Sequence, residues 1–326
     1  MKRLFLKMTA AAAVAALFGG CGGTDDDDDV TAGSMIDVAF RSGEISALVT
    51  AARLAGLEDE LSAPDADLTV LAPTNEAWSL LAGQLGHTSI QALLEDLPVA
   101  TLEAILRYHI LPTRLSKEDL FAGGPTQDTL LVQNSVTVAL PLNTANDELR
   151  ITDSVGRVAL TSVFDVPADN GVFHLLDRVL IPSGVLTVLQ TVQSNPERFQ
   201  ALTEAALGLP TPNAVREALT GPAVTLFAPV NTAFEDFATA QPLTAEQIST
   251  VLLYHTLDSV LLSSAFAPGA PLATQAGQDI TLNAGGTAAL GTIDDTSATD
   301  ANITQVDIIA TNGVVHVIDK VLLPAL

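Results

Sequence analysis

The sequence predicts an α+β chain built from two tandem domains, residues 35–182 and 183–326. Three observations carry this reading. Three motif blocks recur in the same order in both halves, which marks a duplicated unit. The first part of each copy sets apolar residues at helical spacing. The latter part is rich in β-branched residues and punctuated by Asn, Gly and Pro, the pattern of short strands. Helices of the first part should therefore pack on a small, twisted, largely antiparallel β structure from the second.

Ahead of the domains, residues 1–20 read as a signal peptide. A basic start with Lys2, Arg3 and Lys7 precedes an Ala-rich apolar stretch from Met8 to Phe18 and then small residues. Cys21, the one cysteine of the chain, stands where the cut would fall. The segment resembles a bacterial lipoprotein signal, with Phe18 in place of the usual Leu. That resemblance implies that Cys21 is lipidated and becomes the new N-terminus. Residues 21–34 then read as a tether, with Gly22 and Gly23 followed by an acidic run from Asp25 to Asp29. Like charges after glycines stay solvated, and the run lacks the spacing and turn glycine of a calcium loop. Gly22 directly after the cysteine implies, by the same resemblance, sorting to the outer membrane of the bacterial cell envelope. The membrane is then met through the N-terminal lipid only.

Within the first domain Glu44, Ile45, Leu48, Val49 and Ala52 fit a helical stripe. Thr69 to Leu71 reads as a short strand stopped by Pro73. Thr74 or Asn75 can cap the helix that follows through Trp78 to Leu81. Asn231 repeats Asn75, and both are expected as a helix cap or turn lock, with a ligand contact as the alternative. Leu102, Ile105, Leu106 and His109 fall on one helical face, as do Ile248, Val251, Leu252 and His255. Pro98 starts the first of these helices, and Thr244 with Gln247 forms a capping box for the second. Each His should point inward at the helix end, where a charged ring would suit the helix C-terminus. Tyr108 and Tyr254, turned by about 100° from that face, should lie nearer the surface.

Val132, 135–140, 149–152 and 158–164 read as strands. Asn170-Gly171 and Asn312-Gly313 are turn signals, since both residue types tolerate positive φ. The strand after the first turn sets His174 beside Val172 and Leu176, with Asp177 on the other face. His316 and Asp319 repeat that arrangement.

The repeated blocks are Thr69 to Trp78 with Thr225 to Phe234, Tyr108-His109 with Tyr254-His255, and Asn170 to Pro182 with Asn312 to Pro324. Together they resemble the fasciclin (FAS1) domain, twice over, with Trp78 where the family usually has Phe and Val230 in place of Thr74. The resemblance implies, for each domain, a wedge or β-sandwich of about seven strands with flanking helices. Proteins with this domain are described as adhesion proteins, and the Tyr-His segment is implicated in receptor binding in animal members. That implication falls on Tyr108, His109, Tyr254 and His255. Asn75, Asn231, His174, Asp177, His316 and Asp319 are expected to be structural.

Composition narrows the function. The chain has 14 Lys plus Arg against 38 Asp plus Glu, a formal charge of -24. Removing Lys2, Arg3 and Lys7 takes the net charge to -27. Such a chain repels nucleic acid, whose backbone needs clustered cations. Two repeated His per domain, with neither a His-x-His nor a His-x-x-x-His spacing, do not make a metal site, and no cofactor is expected. There is no Gly-x-Ser-x-Gly elbow and no phosphate loop, so no enzyme is expected. The expected function is a membrane-anchored extracytoplasmic binding or adhesion module for a matrix, cell-surface or envelope protein or polysaccharide. The alternatives are a periplasmic small-molecule-binding lipoprotein and a structural envelope spacer.

Overall fold

A computed structural model describes residues 33–122, 126–131, 137–139, 142–143, 148–238, 243–283 and 290–325. The signal peptide, Cys21 and the Asp25–Asp29 run lie outside these residues, as do Val132, Ser135, Val136 and Leu140 of the expected strands. The chain divides into two compact units, with the main boundary between Ile181 and Pro182.

The first unit begins with three helices: α1 (Met35–Ser42), α2 (Ser46–Leu54) and α3 (Glu58–Ser62). Ser34 and Asp37 form a capping box at the start of α1, and Gly43 ends it at φ 66°. Glu44 thus falls in the turn between helices, while Ile45, Leu48, Val49 and Ala52 are buried. Strand β1 (Leu68–Pro73) follows, then α4 (Asn75–Gln84), α5 (Ile90–Asp96), α6 (Val99–Tyr108), β2 (Ile110–Leu111) and α7 (Lys117–Ala122). The strands β3 (Thr126–Asp128), β4 (Thr137–Ala139), β5 (Leu142–Asn143), β6 (Glu148–Thr152), β7 (Val158–Ala168) and β8 (Gly171–Leu176) complete it.

Its sheet runs in the order β2-β1-β8-β7-β6-β4-β3, with β5 on β6. The pair β1 with β8, next to the β2 edge, is parallel, and every residue of both strands is buried. That burial explains why these segments read as continuous apolar runs rather than alternating ones. The remaining pairings are antiparallel. β7 pairs with β6 through Val158–Leu160 and with β8 through Thr161–Ala168, across two register shifts. Such bulges let one long strand turn a corner between two layers, which makes the wedge.

The second unit repeats the plan. Its helices are α8 (Val188–Gln193), α9 (Pro196–Leu207), α10 (Ala214–Leu219), α11 (Asn231–Ala238) and α12 (Ala245–Tyr254). Its strands are β9 (Val224–Pro229), β10 (Thr256–Leu257), β11 (Pro271–Ala273), β12 (Asp279–Asn283), β13 (Thr292–Asp294), β14 (Ala301–Ala310) and β15 (Gly313–Ile318). The order is β10-β9-β15-β14-β13-β12-β11, with β9 and β15 parallel. The fold class is thus α+β, a tandem pair of wedge-shaped sheets with helices against them.

Two glycines sit at the repeated turns for a reason other than φ. Neither Gly171 nor Gly313 is at positive φ. A Cβ on Gly171 would lie 2.4 Å from the Leu68 carbonyl oxygen, and one on Gly313 would lie 1.9 Å from that of Val224. The turn is present, but close approach of the parallel partner strand, not φ, demands glycine. Among the described residues no helix is long and apolar enough to cross a membrane.

Candidate functional site

The Tyr-His segments close α6 and α12. His109 and His255 are the C-cap residues of these helices. Nδ1 of His109 lies 2.7 Å from the Ile105 carbonyl, and Nδ1 of His255 lies 2.7 Å from that of Val251. A carbonyl only accepts, so each Nδ1 carries the proton. Each Nε2 then accepts a backbone N–H, from Leu180 at 2.9 Å and from Leu322 at 2.8 Å. Both rings are buried and neutral. Burial lowers their pKa to about 4, against the pull of the carbonyl bond. The condition under which the ring would suit the helix C-terminus, a positive charge, is therefore not met at neutral pH.

Tyr108 and Tyr254 overturn the expectation that they lie nearer the surface: they are 1% and 0% exposed. Tyr108 packs with Leu71, Leu111, Leu120, Ile151 and Leu176, and its hydroxyl lies 3.0 Å from Ser154 Oγ. Tyr254 donates to the Asp279 carbonyl at 2.9 Å. Burial pushes the Tyr108 hydroxyl up to about 12, with the Ser154 bond opposing. The helix end is covered on both sides, by β1 and β8 and by the hairpin after β6. A partner can touch these rings only if the unit opens.

The second histidine pair uses the other tautomer. His174 Nε2 meets the Leu115 carbonyl at 2.9 Å, and His316 Nε2 meets that of Leu261 at 2.8 Å. Their Nδ1 atoms accept the backbone N–H of Asp165 and Asp307, at 3.3 and 3.2 Å. These two aspartates hold positive φ, 55° and 58°, inside the bulged strands β7 and β14. Their carboxylates accept the Lys117 and Ser263 N–H groups, each at 2.8 Å. Each histidine thus holds a bulge in place, and burial lowers its pKa. Asp177 and Asp319 are not paired with them. Asp177 accepts the Leu160 N–H at 2.7 Å, and Asp319 accepts that of Asn302 at 2.8 Å.

Asn75 and Asn231 act as locks, but not as caps of their own helices. Asn75 accepts the Ala47 N–H at 2.8 Å and donates to the Gly43 carbonyl at 2.7 Å. Asn231 accepts from Ala201 at 3.0 Å and donates to the Glu197 carbonyl at 2.9 Å. Thr74 caps α4 instead, accepting the Ala77 N–H at 3.2 Å.

Three residue pairs matter here: the sequence reading gives Asn170 and Asn312 only as turn residues and does not single out the other two pairs. Asn170 accepts from Met35 N–H at 2.8 Å and donates to the Leu61 and Ala63 carbonyls, each at 2.9 Å. Asn312 does the same with Val188, Leu219 and Gly221. Buried Asp153 accepts from Arg157 Nε at 2.8 Å and from the Ile181 N–H at 3.0 Å. Asp295 accepts from the Leu323 N–H at 2.8 Å, with Lys320 Nζ at 3.5 Å. Asp165 and Asp307 form the third pair. Each stands at the same spacing from the repeated Asn-Gly block in both copies, which was the available signal.

Chemically, the repeated polar residues are committed to one another and to the backbone. The four histidines have both ring nitrogens engaged, so no lone pair is left for a metal or a proton transfer. Among the described residues no group of three or more His, Cys, Asp and Glu is placed to hold a metal ion.

Comparison with known proteins places this architecture. The model of the fasciclin domain matches residues 43–182 and 200–324. The transforming growth factor-beta-induced protein ig-h3 of Sus scrofa is 31% identical over 276 residues, covering 82% of this chain and 36% of that protein. Periostin of Homo sapiens is 33% identical over 172 residues, covering 53% of this chain and 18% of that protein. The chain therefore spans well under half the length of these relatives. A solved FAS1 domain pair from the insect cell adhesion molecule Fasciclin I aligns at 18% identity and a TM-score of 0.42, covering 88% of this chain and 95% of that one.

Proposed function

The chain belongs to the fasciclin domain family, and from that premise we propose that it is a non-enzymatic, lipid-anchored binding and adhesion module of the bacterial cell envelope. The observation that carries the reading is the commitment of the repeated histidines, tyrosines and asparagines to internal bonds. A duplicated frame whose repeated polar side chains are bonded internally leaves recognition to its outer faces. Two such units on one anchored chain raise avidity by effective concentration, so neither needs a tight site alone. The partner is a cell-surface or matrix protein or polysaccharide. The strongly acidic balance of the chain works against polyanions. Cys21 carries the anchor, and outer-membrane sorting follows from Gly22.

The test is attachment of the immobilised chain to a panel of cell-surface polysaccharides and envelope proteins. Saturable attachment supports the reading. No attachment, together with a small molecule that co-purifies and is seen by mass spectrometry, replaces it with the small-molecule-binding alternative. The anchor is tested separately with Cys21→Ser, which is expected to move the protein from the membrane to the soluble fraction.

A further inference from the structure

The two copies differ on one face. In the first, Arg107 near the end of α6 bonds Glu103 at 2.8 Å and Glu60 of α3 at 3.0 Å. The corresponding places in the second copy follow from the bonds that the copies share. Asn170 holds the Leu61 carbonyl and Asn312 holds that of Leu219, so Glu60 corresponds to Ala218. Tyr108 corresponds to Tyr254, so Arg107 corresponds to Leu253 and Glu103 to Ser249. A charged triad has become Ala, Leu and Ser. A second ion pair of the first copy, Arg114 with Asp67 at 2.7 Å, is replaced by Val260 and Ala223.

α10 and α12 pack together beside a cleft of about 370 Å³ lined by Ala214, Glu217, Ala218, Leu253, Asp258 and Gln275. A smaller hollow of about 160 Å³ shares Ala214 and continues past Ser249 and Glu246. Ala218 and Leu253 supply the apolar part of a mixed lining. The Glu217 and Asp258 side chains are exposed and have no bonded partner among the described residues.

We propose that this cleft is a docking site for an arginine side chain presented by a basic protein partner. The inference rests on the binding reading above and names the chemistry of one contact. The apolar part of the lining suits the methylene stem, and two carboxylates suit the planar guanidinium fork. The first copy seats its own arginine between two glutamates on the matching helices, at positions other than those of Glu217 and Asp258. The net charge of -24 draws a basic partner in.

The full chain is titrated with a blocked Gly-Ser peptide bearing one central arginine, and with the same peptide bearing citrulline, which keeps the shape without the charge. Methyl NMR shifts at Ala218 and Leu253 report binding. Saturable shifts are expected with arginine, and at least tenfold weaker binding with citrulline. Leu253→Arg with Ala218→Glu rebuilds the first copy's pair at no change in net charge, and is expected to weaken binding at least tenfold. Glu217→Gln with Asp258→Asn should do the same, while Asp59→Asn with Asp65→Asn, an equal charge change elsewhere, should not. If the rebuilt variant fails to melt cooperatively, the Glu217 and Asp258 variant decides. No saturable shift in the wild-type chain, or equal loss in both carboxylate variants, overturns the proposal. A chain that attaches to the surface panel and ignores the peptide overturns this inference alone. One that binds the peptide and attaches to nothing supports the cleft and counts against adhesion.

Discussion

The Arg157 guanidinium meets the Asp153 carboxylate at 2.8 Å with the two side chains 3% and 1% exposed. Arg157 also donates to the Val179 carbonyl, while Asp153 accepts the Ile181 N–H. One buried ion pair thereby holds both sides of the segment that leaves β8, next to the Leu180 N–H that His109 takes. In the second unit Asp295 keeps its place, but the cation comes from Lys320, on that departing segment. The carboxylate position is common to both copies and the source of its cation is not.

Arg157→Ala is expected to destabilise the first unit by about 3–5 kcal/mol, because it strands a buried carboxylate. Calorimetric melting of the two units should show the first transition move and the second stay. An unchanged melt would mean that the pair is solvated in solution.

Gly313→Ala is expected to cost the second unit at least about 3 kcal/mol, the upper end of overpacking, since the added Cβ meets the Val224 carbonyl at 1.9 Å. Gly277→Ala, at φ 77° in open space, should cost only about 1 kcal/mol. Urea unfolding of both variants checks the ratio.

Acid should weaken both units. His109 and His255 titrate near 4 when folded and near the ordinary value of 6.5 when unfolded. Between those values the unfolded chain binds more protons. Their contribution is full above pH 6.5 and falls as pH drops towards 4, by on the order of 3 kcal/mol for each ring. His174 and His316 act in the same direction. Urea midpoints at pH 7, 5.5 and 4.5 should decline in that order.

Tyr108→Phe is expected to cost about 1 kcal/mol by removing the Ser154 bond. Tyr108→Ala should cost about 3–5 kcal/mol by emptying a core site. Loss of attachment in the alanine variant alone would therefore report unfolding. Loss in the phenylalanine variant, with its melt nearly unchanged, would report a direct role for the hydroxyl.

The sequence by itself determined the duplication, the helix-then-strand order within each copy, the capping box at Thr244 and the inward direction of His109 and His255. Those follow from local spacing, which sets what one element presents on one face. Tertiary structure decided what covers each face. Tyr108 reads as exposed on its own helix because its roof, around Ser154, arrives from a distant hairpin. Gly171 and Gly313 read as turn glycines because the parallel strand that crowds them lies far away in sequence. Asn75 and Asn170 read as local caps or turns, yet bond helices that no local pattern connects to them. The tautomer of each histidine is set by which ring nitrogen meets a carbonyl and which meets a backbone N–H, and its lowered pKa by burial. Such long-range pairings carry no periodicity, so they became visible only once the chain was folded.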